Sequence, residues 1–494
     1  MTLLRSLSFA VISGLIGLSA STDLIRTRRA DYTATCQAIA AAVSSASKVY
    51  YSGSSQYTKD NEHWASSGSQ TSACSFEPAN AQDVGIALQL LGKDQTPFAV
   101  RSGGHSPNSG FSSTPGVQIA LFSFSEVVYD ANAQTATIGM GLIWDNVYSE
   151  LDKYGVTVVG AKTTGVGVGG TVLGGGYTYL SNQYGLSVDN VVSLELVMPN
   201  GTVASITSSS NPDLFYGLRG GFNNFGIVTT VTMKTYTQSQ VWGGRISYAA
   251  AQWDVVNTAI ANFVSAVTDP KACVYSTTDY ASGVVAIMTI LFYDAPTYPN
   301  GIFNELLAIP HVDEDISTRA YSNLIQTLPA NASSGLRAMF HWVPIEQFTS
   351  SMLQMVKNQT LFYGKELSQS SGVLISYDLI PFLPSLYSHS NTPSAFPSSR
   401  DAGQGYSFIE VYYGWTDPND DNVMLQLGAE SAAYMKQFAV DAGQNVSNAL
   451  IYPNCAPPGT ALADMYGDAV SSLHSIRSAV DPGNVMGLTG GWRF

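Results

Sequence analysis

Residues Arg101-Ser102-Gly103-Gly104-His105 follow the apolar run Thr96-Pro97-Phe98-Ala99-Val100, so a lone histidine stands directly after a glycine pair at the end of an expected strand. Such a loop is either plain surface or a cradle: without side chains, successive backbone N–H groups can turn toward one anion or lie flat against a planar ring. A second glycine-dense stretch, 160–176, reads GAKTTGVGVGGTVLGGG. Gly165, Gly167 and Gly170 satisfy G-x-G-x-x-G, yet a dinucleotide fingerprint needs its last glycine to open a helix. Here Thr171-Val172-Leu173 runs into Gly174-Gly175-Gly176, and glycine costs a helix roughly 1 kcal/mol per residue. The expectation is therefore a non-helical backbone shaped for close approach. His63, His311, His341, His389 and His474 have no comparable setting and read as structural or surface histidines. The four cysteines form no CxxC or Cys/His cluster, so no metal site is expected.

Three further pieces follow in order: NQYGLSVDNV at 182–191, NFGIVT at 224–229 and DPGNVMGLTGG at 481–491. Together with the two glycine loops they resemble the berberine bridge enzyme-like branch of the vanillyl-alcohol oxidase superfamily, secreted flavoproteins, over most of the chain. The resemblance implies that the first loop cradles the diphosphate of FAD and that His105 bonds covalently to the flavin 8α carbon. A neutral imidazole is a competent nucleophile toward an electrophilic flavin methylene. Implied cofactor contacts from the first loop are Arg101, Ser102, Gly103, Gly104, Ser106 and Gly110. From the second loop they are Gly165, Val166, Gly169, Gly170, Gly174, Gly175, Gly176 and Tyr177, joined later by Gly226, Ile227, Val228 and Asn454. Many relatives attach FAD a second time through a cysteine; that position is Thr163 here, so the expectation is a single histidyl link. Val166 falls where oxygen-using members tend to carry valine, which favours O2 as oxidant, with core filling as the plain reading of the same residue.

Oxidising an alcohol also requires a base. By analogy with carbohydrate-oxidising relatives, the resemblance nominates Asp378 in ISYDLIPF with Tyr452 in YPNCA, a carboxylate and a phenol able to share a proton. The plainer reading of Asp378 is an ordinary turn or strand-end acid. Glu410 alternates with Phe408 and Tyr412 on one face of FIEVYYGW and competes for the base role if that face lines a cavity. Family members usually show Tyr-x-Asn-Tyr near the C-terminus; here Cys455 replaces the second tyrosine, which tilts the expected substrate from a sugar toward a secondary metabolite. The resulting expectation is an FAD-linked oxidase of an alcohol or activated C–H centre, releasing hydrogen peroxide. A carbohydrate oxidase and a non-catalytic secreted flavin-binding protein stand as alternatives.

The elements that would carry these residues read as α+β. Helices are expected over 31–46, 81–91, 144–154 and 461–479, and short strands at 96–100, within 117–141, and around the turn Pro199-Asn200-Gly201. From Trp242 to about Trp415 the chain turns Tyr- and Phe-rich and alternates strands such as VVAIMTILFYD with helical stretches. The implied organisation is a bipartite FAD-binding domain of the vanillyl-alcohol oxidase (PCMH) type over 22–237, and a substrate domain with an antiparallel sheet over 238–445. A C-terminal segment, 446–494, would complete the FAD domain.

The apolar stretch Leu7–Leu18 after Arg5 and before small residues reads as a secretory signal over 1–21, leaving no membrane segment after its removal. Asn200, Asn331, Asn358 and Asn445 are glycan acceptor patterns, consistent with a secreted chain. Cys36 and Cys74 are the expected bridge, with Cys273 and Cys455 as buried thiols. Hydrophobic residues make up 45% of the 494-residue chain, enough for substantial cores, and a formal charge of −14 has the wrong sign for nucleic acid. The expected partners are a small molecule and O2, with the protein a monomer.

Overall fold

The computed structural model describes residues 31–328, 330–390, 392–401 and 403–494; the expected signal segment and the side chain of Asn331 lie outside the described residues. Residues Tyr32–Phe494 form one compact unit. Its sheets follow from where β-branched and aromatic residues alternate. Short strands Lys48–Tyr50, Cys74–Glu77, Val117–Ala120 and Phe98–Arg101 lie side by side in that order. The last three are parallel, with helix Ala81–Asp94 crossing between two of them and started by the Asn80 side chain, which accepts from the Asp83 N–H. Arg101 closes its strand, and the His105 loop leaves from that end.

A five-stranded antiparallel sheet orders Val127–Asp130, Thr135–Gly139, Ile227–Lys234, Val191–Val197 and Val203–Thr207. The largest sheet has seven antiparallel strands, ordered Asp313–Arg319, Val241–Tyr248, Val284–Tyr293, Ala272–Ala281, Gly372–Ile380, Ser407–Trp415 and Arg337–Ile345. Helices Ser350–Leu367 and Asp421–Asp441 pack on one of its faces. Strand Ser407–Trp415 is buried at every position, because both of its faces are covered. Ile409, Val411, Tyr413 and Trp415 join the core under the helices, while Phe408 belongs to a second core. That second core also holds Phe76, Leu88 and Leu196 from the first half of the chain and Met486, Trp492 and Phe494 from its end. The C-terminal segment thus packs back against the first sheets.

Several local expectations need correction. The first helix is Thr33–Ala42, shorter than 31–46, since Val43 is already extended. The C-terminal helix is two, Leu462–Tyr466 and Ala469–Val480, broken where Gly467 takes a positive φ of 53°. Most consequential, Val168–Gly174 is helical despite its glycines. The propensity cost is outweighed by burial of Val168, Val172 and Leu173 and by Ser102 Oγ, which accepts the Gly169 N–H at 3.0 Å. The Rossmann reading still fails, because this two-turn helix joins no pair of parallel strands. Cys36 and Cys74 form the expected disulfide, and Cys273 and Cys455 are free and buried.

Candidate active site

A cavity of about 790 Å³ is walled by the two glycine loops, the large sheet and the C-terminal segment. The loops meet backbone to backbone. A Cβ on Gly103 would lie 2.5 Å from Gly167 N, and one on Gly167 would lie 2.3 Å from Gly103 N, so neither position admits a side chain without moving the other loop. Ser102 locks the junction, donating to Met140 O at 2.6 Å while accepting from Gly169. Behind it, Asp145 accepts from Thr164 Oγ1 at 2.6 Å and from the Gly165 N–H at 2.8 Å.

His105 is enclosed at this junction. Its ring stacks on Trp64 with centroids 4.4 Å apart and planes 22° from parallel. Burial lowers its pKa to about 4; the nearby Glu410 opposes that shift and Lys162 adds to it, so the imidazole is neutral at physiological pH. Its buried Nδ1 has no hydrogen-bond partner among the described residues, and the same holds for the buried Thr163 Oγ1 in the facing loop. Orphaned polar atoms on the wall of a large cavity mark a place where a ligand completes the hydrogen bonding. The residues present fit a flavin: a neutral nucleophilic nitrogen, a glycine-lined wall and apolar side chains from Val166, Ile227 and Val228.

Of the sequence-nominated residues, the cavity is lined by Ser102, Gly104, His105, Ser106, Val166, Gly169, Gly170, Tyr177, Ile227, Val228 and Asn454. The structure places the others behind that lining. The Arg101 guanidinium donates to Lys59 O at 2.6 Å and stacks on Phe122. Gly103 is covered by Gly167, while Gly110 and Gly165 sit in neighbouring turns. Gly174, Gly175 and Gly176 pack against Asn454, Tyr452 and Ser187, and Gly226 packs against Val197. They shape the wall from outside.

The three nominated catalytic side chains all reach the cavity, but not in the expected pairing. Tyr452 is not the partner of Asp378. Its hydroxyl accepts from the Gly176 N–H at 3.0 Å and from Asn454 Nδ2 at 2.8 Å, so it ties the C-terminal segment to the glycine loop. Asp378 is paired instead with Tyr275, whose hydroxyl donates to Oδ2, and with Ser376, which donates to Oδ1 at 2.6 Å.

The register of neighbouring strands sets Asp378 directly opposite Glu410, side by side on the cavity face. Glu410 accepts from Tyr177 Oη at 2.7 Å and from the Cys455 thiol at 3.5 Å. Lys162 Nζ lies 3.8 Å from Glu410 Oε1 and 3.4 Å from Tyr275 Oη, above the rings of Tyr177 and Tyr275. Burial and the neighbouring Glu410 raise the Asp378 pKa to about 7, with Lys162 opposing. Burial and the Glu410 charge likewise push the Cys455 thiol well above its ordinary range.

Lys162, Tyr275 and Trp64 were not singled out from the sequence. Lys162 had a signal, being the one cation in the glycine stretch 160–176. Tyr275 and Trp64 had none, because strand pairing and chain reversal bring them in from distant segments. Among the described residues no His/Cys/Asp/Glu group could hold a metal ion, and no helix is long and apolar enough to cross a membrane.

Comparison with known proteins places this geometry. The FAD binding domain family matches residues 72–207. An FAD-dependent monooxygenase, drtC, of Aspergillus calidoustus is 33% identical over 97% of this chain and 95% of its own length. An FAD-linked oxidoreductase of Arthroderma benhamiae is 38% identical over 255 residues; the alignment spans 51% of each protein, so the chain matches about half the length of that relative. Among solved structures, glucooligosaccharide oxidase from Acremonium strictum, described with a 6-S-cysteinyl, 8α-N1-histidyl FAD, superposes with a TM-score of 0.73 at 16% identity, covering 92% of this chain and 98% of that one.

Proposed function

The chain belongs to the FAD-linked oxidoreductases, and from that premise we propose that it is a secreted oxidase of the berberine bridge enzyme-like branch of the vanillyl-alcohol oxidase superfamily, acting on a small, largely apolar secondary metabolite. The reaction is oxidation of an alcohol or similarly activated C–H centre, with O2 reduced to hydrogen peroxide. When bound, FAD supplies the hydride acceptor. His105 is assigned to its single 8α-histidyl link, since the ring is neutral, oriented by Trp64 and has an unpartnered Nδ1. Thr163 cannot form a second link.

The observation that carries the reading is the in-register carboxyl pair beside one ammonium group. Two buried carboxyls on adjacent strands resist ionising together. Lys162 sits on the Glu410 side, and burial together with the neighbouring Glu410 keeps the proton on Asp378 up to about pH 7. Glu410 is therefore the proposed base, oriented by Tyr177, and revises the earlier nomination of Asp378 with Tyr452. Asp378 and Tyr275 form the route by which the abstracted proton leaves.

Carbohydrate oxidation is the second reading, supported by the likeness to glucooligosaccharide oxidase. Against it, beyond the carboxyl pair and Tyr275 the sheet face offers only Thr277, Asp279, Ser376 and Tyr412 as polar groups, among Met288, Leu374, Val373, Ala281 and Phe340, few for a chain of sugar hydroxyls. Secretion is supported by the N-terminal pattern, the disulfide and the exposure of Asn200, Asn358 and Asn445. The test is peroxide release by purified protein across sugars, benzylic alcohols and polyketide-like compounds. Release with a metabolite class alone is expected. Release with sugars only transfers the assignment to the second reading, and failure of every substrate to bleach the flavin anaerobically leaves a non-catalytic flavin binder.

A further inference from the structure

The carboxyl pair occupies one row of the large sheet, and the next row has a different chemistry. Strand pairing aligns Asp279 with Ser376, Ser376 with Tyr412, and Tyr412 with Phe340, and all four side chains face the cavity. The row lies two residues along each strand from Asp378 and Glu410, about 7 Å away. Asp279 and Tyr412 are separated by two strand spacings, about 10 Å, with only the small Ser376 between them. Tyr412 belongs to an aromatic stack, its ring 5.3 Å from that of Phe340 and 5.7 Å from that of Trp64.

Asp279 is under-supplied with donors. Thr277 Oγ1 stands 3.4 Å from its Oδ2, a long contact. Ser376 also reaches it, but that hydroxyl has one proton and lies 2.6 Å from Asp378. No ion pair to Asp279 occurs among the described residues; the ammonium of Lys162 lies at the other row, beside Glu410. A carboxylate enclosed by protein, open only to a cavity and lacking a cation, is an incomplete pair.

We propose that the gap between Asp279 and the Tyr412 ring, floored by Ser376, is a subsite for a cationic nitrogen of the substrate, a tertiary or quaternary ammonium group. The carboxylate supplies the counter-charge and the aromatic wall a cation–π contact. The spacing of the two rows puts that nitrogen about 7 Å from the reacting centre. The assignment rests on the reading that chemistry occurs at the Glu410 row, and it narrows the metabolite class to amines.

The test uses calorimetric binding to the purified full chain, with choline and its uncharged isostere 3,3-dimethylbutan-1-ol, which differ by nitrogen for carbon. The wild type is expected to bind choline at least tenfold more tightly. Asp279→Asn should abolish that preference without changing affinity for the alcohol, Tyr412→Leu should weaken it, and Glu410→Gln should retain it. Equal affinities, binding of neither ligand, or a preference that survives Asp279→Asn and disappears in Glu410→Gln overturns the subsite. The wild-type comparison decides even where a variant fails to fold. Calorimetry needs no turnover, so a preference without peroxide release sinks the oxidase reading alone, and peroxide release without a preference sinks this one alone.

Discussion

At the scale of single residues, the site turns on which of two carboxyls holds the charge. Lys162 stands 3.8 Å from Glu410 and opposes the rise that burial and the Glu410 charge impose on Asp378. Lys162→Met is therefore expected to raise the Asp378 pKa further and to displace the kcat/KM–pH profile upward, a displacement that loss of packing alone would not produce. Glu410→Gln should reduce kcat by about 10²–10⁴-fold with the flavin still attached. The covalent link has its own test: after acid precipitation the yellow colour should stay in the pellet, and His105→Ala should release it to the supernatant. His105 was legible in the sequence because the features that mark it, a strand end and a glycine pair, lie within five residues of one another. The partner of Asp378 was not, because Tyr275 lies 103 residues away and meets it through strand register, which no local pattern encodes.

At the scale of elements, the glycine loops shape the cavity wall and one covalent tie fixes the first helix to the first sheet. Gly103→Ala would place a methyl group 2.5 Å from Gly167 N; the backbones must part, at a cost of about 1–3 kcal/mol, and the expected result is a folded protein that retains little flavin, read by absorbance against circular dichroism. The disulfide joins helix Thr33–Ala42 to strand Cys74–Glu77 across 38 residues. In the loop-closure account such a bridge contributes about 4 kcal/mol, so Cys36→Ser should lower the urea midpoint substantially while sparing the carboxyl cluster. Strands were the elements best read in advance, as with Val284–Tyr293 and Ser407–Trp415, since alternation is a strong period-two signal. Helix Val168–Gly174 was misread because propensity was weighed without the burial that overrides it. The Glu410 face followed from alternation, but its lining of the cavity required the third layer of structure to be known.

At the scale of the whole molecule, two sets of buried groups set stability against pH in opposite directions. Glu77 and Asp378 are raised to about 7 and Asp279 to about 6 by burial, with neighbouring acids adding to the first two. Unfolded carboxyls titrate near 4. Between those limits the folded chain holds more protons than the unfolded one, so this set's contribution is full in acid and is lost as pH rises through about 7. His341 is lowered to about 4 by burial, whereas an unfolded histidine titrates near 6.5. Its contribution is full above 6.5 and is lost as pH falls toward 4. The two sets oppose one another over the same window, and because three carboxyls stand against one such histidine the wild-type urea midpoint is expected to fall between pH 5 and 7.5, while single substitutions should expose each component. His341, away from the cavity lining, is the clean probe: removing a histidine that must stay neutral when folded benefits the protein at pH 5, by on the order of 2 kcal/mol relative to the same change at pH 7.5. Asp378→Asn should show the reverse, comparing better with wild type at pH 8 than at pH 5, because it deletes a carboxyl whose ionisation the fold resists. Urea midpoints for His341→Gln and Asp378→Asn at the two ends of the range would therefore cross in sign, and parallel shifts in both variants would show that neither burial perturbs the titration as the structure requires.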